Sequence, residues 1–295
     1  MRKLRSIILR NVILTCICSL ALPPLLAYGS DHAGQMTEEF HQTYPLSAGG
    51  RVELDNINGA VHITGWDRNE VKVDAVKYAN SKERLDEAKI RVDASSGLVS
   101  IRTEYPDHDL TFNSFGHNNP ASVEYTLTVP RSARLDEIKL VNGALDIQAV
   151  SGEVNASSVN GGVTLRGSEG RTEVSTVNGR LDVEFTRITA TAELSSVNGS
   201  LMVTLPSDAK AEIEASTVSG RISNDFGLST SNHNWVGHDL KAELGNGGPR
   251  IKLSNVNGRI EIRHANDGKA LSPAKNLTHK DRDNDDDKDD DDDSI

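Results

Sequence analysis

Cysteine is nearly missing from this sequence: of 295 residues only Cys16 and Cys18 carry thiols, and both lie in the apolar stretch near the N-terminus. If that stretch is removed as a leader, the remaining chain can form no disulfide framework, no thiolate metal site and no cysteine nucleophile. Long apolar runs are missing as well once the leader is passed, so no integral membrane segment is expected after processing. Basic residues are outnumbered, 32 Lys and Arg against 43 Asp and Glu, for a formal net charge of −11. Nucleic acid selects a basic surface, and anionic lipid attracts one, so neither is an expected partner.

Several catalytic signatures are absent too. No Gly-x-Ser-x-Gly elbow, no phosphate-cradling Gly-x-x-x-x-Gly-Lys and no His-Glu-x-x-His occurs. Ser157, Ser175, Ser195, Ser216 and Ser254 recur at one repeat position, which suits corner hydrogen bonding better than nucleophilic attack.

What is present begins with a secretory leader. Arg2, Lys3, Arg5 and Arg10 precede an apolar segment from Val12 to Leu26, broken by Pro23-Pro24 and closed by Ala27-Tyr28-Gly29. This pattern predicts a signal peptide over 1–29 with cleavage after Gly29, hence export to the periplasm, the cell envelope or the extracellular space. Neither cysteine follows the small-residue pair of a lipid-modification signal.

Seven copies of one unit organise the rest: LDNINGAVHI, IKLVNGALDI, ASSVNGGVTL, VSTVNGRLDV, LSSVNGSLMV, ASTVSGRISN and LSNVNGRIEI. Their glycines are Gly59, Gly143, Gly161, Gly179, Gly199, Gly220 and Gly258. From Gly143 the steps are 18, 18, 20, 21 and 38 residues, the last taken as two steps around a degenerate copy. A period of about 19, with half-steps at Gly152 and Gly170, is the mark of stacked coils with two strands and two bends per turn. About seven coils between Arg131 and His264, at roughly 4.8 Å each, would stand on the order of 34 Å tall.

Asn-Gly between alternating apolar residues is also a hairpin signal. A hairpin would place Val177, Val218 and Val256 beside Arg180, Arg221 and Arg259 on one face. A coil corner would instead turn those valines inward, in company with Leu181 and Val183. On this argument the fold is an all-β parallel solenoid, or β-helix, and the general strand twist makes it right-handed. Asn at successive corners would form an amide ladder, and Gly would supply a positive φ there.

Outside the repeats, residues 30–130 are strand-rich and would begin the stack and cap its open end. One short helix is expected there, N-capped by Ser81 and running to Lys89. Residues 131–264 form the solenoid proper. Tyr105 to Ala121 and Gly227 to Pro249 read as loops, the second holding Trp235. From 265 to 295 the chain loses apolar content, and ten of its last fifteen residues are Asp, which predicts a disordered tail. Asp281, Asp283, Asp285, Asp287 and Asp289 alternate like a calcium loop, but Asp286 sits where Gly is needed and Asp292 where Glu is needed. Weak calcium association is all that run supports.

A polysaccharide-active enzyme on such a fold would set carboxylates on the outer face of neighbouring coils. The best cluster is Arg166, Arg180, Asp182 and Glu184, for which cross-strand charge pairing is the simpler account. His108 and His117, with Asp107 and Asp109, and His233 with His238, lack metal-ligand spacing. No catalytic, cofactor or metal residue is assigned.

VELDNINGAVHITGWDRNEVKV from Val52, YTLTVPRSARLDEIKLVNGALDI from Tyr125, and the SSVNG-type corners resemble a bacterial putative-adhesin family of unknown function. The resemblance covers roughly 40–264, with Gly65-Trp66, Val129-Pro130 and the Val-Asn/Ser-Gly corners as its most specific parts. It implies an exported, β-helical, envelope-associated protein and brings no catalytic residues. The expected function is a non-enzymatic binding scaffold that contacts a glycan, a protein or a neighbouring copy. Arg166, Arg180, Asp182, Glu184 and Trp235 are its candidate contact surface. The alternatives are a polysaccharide-active enzyme and a structural spacer with a cation-associating tail.

Overall fold

The computed structural model describes residues 35–106, 121–232 and 237–277, all within the unit Gly34–Ile295. The segment expected to be a leader, with Cys16 and Cys18, lies outside the described residues, as do His108, His117, His233, Trp235 and the aspartate-rich run.

In chain order the first elements are β1 (Met36–Pro45), β2 (Arg51–Asn58), β3 (Val61–Trp66), β4 (Glu70–Ala79), α1 (Lys82–Glu87), β5 (Lys89–Ser95), β6 (Leu98–Glu104) and β7 (Ser122–Pro130). Strand pairs follow: β8 (Arg134–Asn142) and β9 (Leu145–Gln148), β10 (Val154–Asn160) and β11 (Val163–Ser168), β12 (Thr172–Asn178) and β13 (Leu181–Phe185), β14 (Ala192–Asn198) and β15 (Leu201–Leu205), β16 (Ala211–Ser219) and β17 (Ile222–Asn224). The last are β18 (Ser231–Asn232), β19 (His238–Leu244), β20 (Arg250–Asn257), β21 (Ile260–His264) and β22 (Ala274–Asn276). The helix starts where its cap predicts, with Ser81 Oγ accepting from Arg84 N at 3.4 Å.

The strands form two sheets. One runs β1-β4-β7-β3-β9-β11-β13-β15-β21-β17, and the other β18-β19-β16-β20-β14-β12-β10-β8-β2-β6-β5, with β22 on β19. Each repeat sends its first strand to the second sheet and its second strand to the first, and like strands pair in parallel. A hairpin would keep both strands in one sheet, antiparallel, so the coil reading holds. Leu145, Val163, Leu181, Leu201, Ile260 and Ile222 register one above the other, each buried, and Leu54, Ile138, Ala156, Val174, Leu194, Leu253 and Ala215 do the same opposite. Burying each large aliphatic side chain in such a column contributes about 1.5–3 kcal/mol. Six coils lie between Arg131 and His264, and β2 with β3 makes the seventh.

The corner valines face the other way from the expectation. Ile57, Val141, Val159, Val177, Val197, Val256 and Val218 are 38–53% exposed and form an outer row on the second sheet. The inner place is held one residue earlier by Asn56, Leu140, Ser158, Thr176, Ser196, Asn255 and Thr217, all buried. Five of them, Asn56, Ser158, Thr176, Asn255 and Thr217, explain the reversal by donating to a corner-glycine carbonyl. The carbonyl of the corner glycine turns toward the interior, and a buried acceptor needs a donor. Thr176 Oγ1 donates to Gly161 O at 3.0 Å, Asn255 Nδ2 to Gly199 O at 2.9 Å and Thr217 Oγ1 to Gly258 O at 3.2 Å. A valine in that slot would leave the carbonyl unpaired. Replacing Thr176 with Val should therefore cost about 1–3 kcal/mol in chemical denaturation. Ser196→Ala should stay within about 0.5 kcal/mol, because Ser196 Oγ is buried without a partner.

The corner glycines also differ from the expectation. Gly59, Gly199 and Gly258 have φ of 118°, 156° and 147°, whereas Gly143, Gly161, Gly179 and Gly220 do not lie in the positive region. What all seven share is crowding: a Cβ at Gly143, Gly161, Gly179, Gly199, Gly220 or Gly258 would overlap the carbonyl oxygen of the glycine in the adjoining coil, and one at Gly59 would overlap Val123 O. The asparagine ladder forms as expected. Asn142, Asn160, Asn178, Asn198 and Asn257 each donate Nδ2 to the Oδ1 of the asparagine one coil below, at 2.9–3.0 Å, beginning from Asn58.

Two further corrections concern the C-terminal part. The interval from Gly220 to Gly258 holds no degenerate coil. The chain leaves β17, adds β18 and β19 antiparallel beyond β16, and then returns to insert β20 and β21 between the two preceding coils. The loop expected over 227–249 thus contains strands, because Leu240, Ala242 and Leu244 supply a period-two apolar face. Residues 265–277, assigned by composition to the tail, are tied back: Lys269 Nζ reaches Asp208 at 2.9 Å, Ser272 N donates to Ser207 O at 2.8 Å, and β22 pairs with β19.

At the opposite end the parallel strands are closed by antiparallel ones, β4 and β1 beyond β7, and β5 beyond β6. Beneath them Thr103 Oγ1 donates to Asn56 Oδ1 at 2.9 Å and lies 2.8 Å from the Tyr125 hydroxyl, while Asn56 Nδ2 donates to Val123 O at 2.9 Å. Burial holds the Tyr125 hydroxyl well above the ordinary phenol range.

Candidate functional site

The outer face of the first sheet carries the charge cluster expected from the aligned repeats. Side chains alternate along each strand, so residues registered across parallel strands share a face. Arg166 on β11 registers with Glu184 on β13, and Thr164 with Asp182. The Arg166 guanidinium donates through Nη1 to Asp182 Oδ1 and through Nη2 to Asp182 Oδ2, at 3.2 and 3.3 Å, and through Nη1 to Glu184 Oε2 at 3.2 Å. Arg180 Nη2 adds a bond to Asp182 Oδ2 at 3.3 Å and covers Met202 from the neighbouring coil, with Sδ at 3.4 Å. The sequence-derived residues Arg166, Arg180, Asp182 and Glu184 are thus brought together.

Their chemistry is that of a closed charge network. Partial burial works to lower the Arg166 pKa, but the hydrogen bond and charge of Asp182, with the charge of Glu184, raise it above the ordinary guanidinium value. Asp182 takes its bonds from Arg166 and Arg180, and Glu184 takes its bond from Arg166, whose planar fork is suited to holding two carboxylates.

The second sheet presents a different face. Ser157, Ser175, Ser195, Ser254 and Ser216 register across β10, β12, β14, β20 and β16, two residues before the exposed valine row and three before the corner position of the asparagine ladder. The result is three parallel rows, amide, aliphatic and hydroxyl, repeating from coil to coil. The serine row was visible in the alignment of repeats. The outward valines were missed because the carbonyl-capping demand of the corner leaves no trace in hydrophobic alternation alone.

Among the described residues no group of three or more His, Cys, Asp or Glu could hold a metal ion. No helix among them is long and apolar enough to cross a membrane. His238 begins β19, while the Trp235 contact lies outside the described residues.

Residues 148–263 match the sequence profile of Toastrack DUF4097. Among solved structures, a putative cell adhesion protein from Clostridium sporogenes aligns at 13% identity and TM-score 0.43, over 77% of this chain and all of that one. A putative adhesin from Bacteroides fragilis aligns at 12% identity and TM-score 0.35, over 77% of this chain and 97% of its own. A putative lipid binding protein from Parabacteroides distasonis aligns at 11% identity and TM-score 0.28, over 79% and 97%. No protein of curated function matches the sequence. The likeness over 148–263, less than half of the chain, is thus to the Toastrack DUF4097 family, a domain family of unknown function.

Proposed function

We propose that this protein is exported and serves as a non-enzymatic binding scaffold, contacting a glycan, a protein or a neighbouring copy through the outer faces of its coils. The carrying observation is the row of seven exposed β-branched side chains from Ile57 to Val218, set beside a serine row on one sheet face. A contiguous apolar stripe on a surface otherwise rich in charge marks a contact surface. The charge network of Arg166, Arg180, Asp182 and Glu184 offers a second contact face, and Trp235 belongs to the same reading. The leader supports export to the periplasm, the envelope or beyond. A domain division at 29 and 130, with the tail starting after the strand-bound segment that ends at Leu277, and a right-handed winding of about 19 residues per coil complete the proposal. Loose calcium association is assigned to the aspartate run.

Retention of the protein on envelope fractions tests the reading. Each valine removed from a contact forfeits on the order of 1 kcal/mol, so Val177→Ser with Val197→Ser should weaken retention by roughly tenfold or more while the circular dichroism spectrum is kept. A chain cut after Leu277, rather than inside the strand-bound segment before it, should retain as the full chain does. Unchanged retention in the double valine variant would remove the support for this face. Turnover of a polysaccharide that Asp182→Ala with Glu184→Ala abolished would replace the reading with an enzymatic one.

A further inference from the structure

Beside the corner where β17 lies against β21 there is an open cleft of about 610 Å³, lined by Ser200, Arg221, His238, Asn257, Arg259 and corner-glycine backbone. Three coils place an arginine directly after the corner glycine, and two of them engage an acid two residues further on. Arg180 bonds Asp182 at 3.3 Å, and Arg259 bonds Glu261 at 2.7 Å. The third, Arg221, has Ser223 at that position. Glu261, which registers with Ser223, is already shared between Arg259 and Arg263, the latter at 2.5 Å. Arg221 is exposed and makes no ion pair or side-chain hydrogen bond among the described residues. It stands next to Arg259, since Ile260 N donates to Arg221 O at 2.9 Å across the two strands. Like charges on adjacent strands repel, and an anion between them relieves the repulsion.

A second observation concerns the amide ladder, which ends in this cleft. Asn257 donates Nδ2 to Asn198 Oδ1 at 2.9 Å, but the next coil carries Ser219 where asparagine would stand. Among the described residues nothing donates to Asn257 Oδ1, and the Ser200 hydroxyl forms no hydrogen bond. Among the described residues, a guanidinium without an ion pair, an amide oxygen without a donor and a hydroxyl without a partner therefore line one open cleft. A sugar that bears both a carboxylate and hydroxyls can use all three groups.

We propose that this cleft binds the carboxylate of an acidic sugar in a glycan, with Arg221 taking the carboxylate and Asn257 and Ser200 meeting ring hydroxyls. This rests on the binding reading above and names its ligand class. The aspartate run from Asp281 carries the same anionic group, and it follows in sequence from β22, which lies on β19, the strand that begins with His238. The experiment therefore includes a chain cut after Leu277.

Trigalacturonate and its methyl ester are titrated calorimetrically into the full chain and the cut chain. The acid should bind and the ester should bind about tenfold more weakly or worse. Arg221→Gln should lower affinity for the acid by about tenfold, Arg221→Lys by less. Ser223→Asp, which gives Arg221 the acid its counterparts have, should act like Arg221→Gln. Binding by the cut chain alone supports the site and identifies the chain's own aspartates as its competing occupant. Equal affinity for acid and ester, no binding in either chain, or unchanged affinity in both Arg221→Gln and Ser223→Asp overturns the proposal. Envelope retention that survives in Arg221→Gln while trigalacturonate binding is absent removes this site and leaves the scaffold reading standing.

Discussion

Gly179→Ala should lower the stability of the fold by about 3 kcal/mol or more, the upper range for overpacking a closely fitted site. The added methyl would meet Gly161 O, Gly161 C and Gly162 N, which are backbone atoms and cannot swing aside. Relief would require the two coils to separate, and that would stretch the bond from Gly161 N to Asn178 O, now 3.0 Å. For a folded body of this size the melting temperature should fall by roughly 6–12 °C. Gly97→Ala is the control, because an added methyl there meets nothing within 4 Å. Its melting temperature should hold or rise slightly through the reduced freedom of the unfolded chain. Thermal denaturation followed by circular dichroism reads both, and an unaltered Gly179→Ala midpoint would show that coil spacing is not set by glycine stacking.

The second large effect is expected at Leu253. This side chain is fully buried on β20, between Leu194 of β14 and Ala215 of β16. Truncation to Ala should cost about 2–5 kcal/mol through lost transfer energy and the cavity left behind. The inserted position of β20 makes a further demand on where that loss is felt. β16 and β14 do not pair with each other, so loosening β20 removes the parallel partner of β16 and one of the two parallel partners of β14. Hydrogen exchange should show amides of β16 and β20 losing protection together in Leu253→Ala, while β8 and β10 keep theirs. Exchange that rose in β20 alone would mean that β16 is held by β19 without help from its other neighbour.

Much of this architecture was legible because duplication wrote the same demand seven times. The step between glycines gave the coil, the apolar residues two and four positions after each glycine gave one inner face, and the repeated asparagine gave the ladder. The contact of Arg166 with Asp182 and Glu184 followed from superposing repeats, since parallel in-register pairing turns alignment into adjacency. Legibility failed where a residue answers to the neighbouring coil. Val177 was expected inside because alternation alone was counted, whereas Thr176 holds that place to cap the Gly161 carbonyl. Gly179 was assigned a dihedral role when its constraint is the oxygen of the coil next to it. The insertion of β20 was hidden because sequence order and stacking order are the same for the earlier repeat coils, from Gly59 to Gly199. Arg221 looked like one more charged residue after a corner, and only the pairing of its counterparts set it apart.

The inserted coil also bears on how the protein would behave under force. A pull on the C-terminal end first meets β22, a three-residue strand on one edge that can be unzipped bond by bond. Beyond it the tension reaches β21 and β20, which are gripped along both sides and must slide against two neighbours at once. A tether attached there would hang from an interior strand, so the first short slip would be followed by a much stiffer hold.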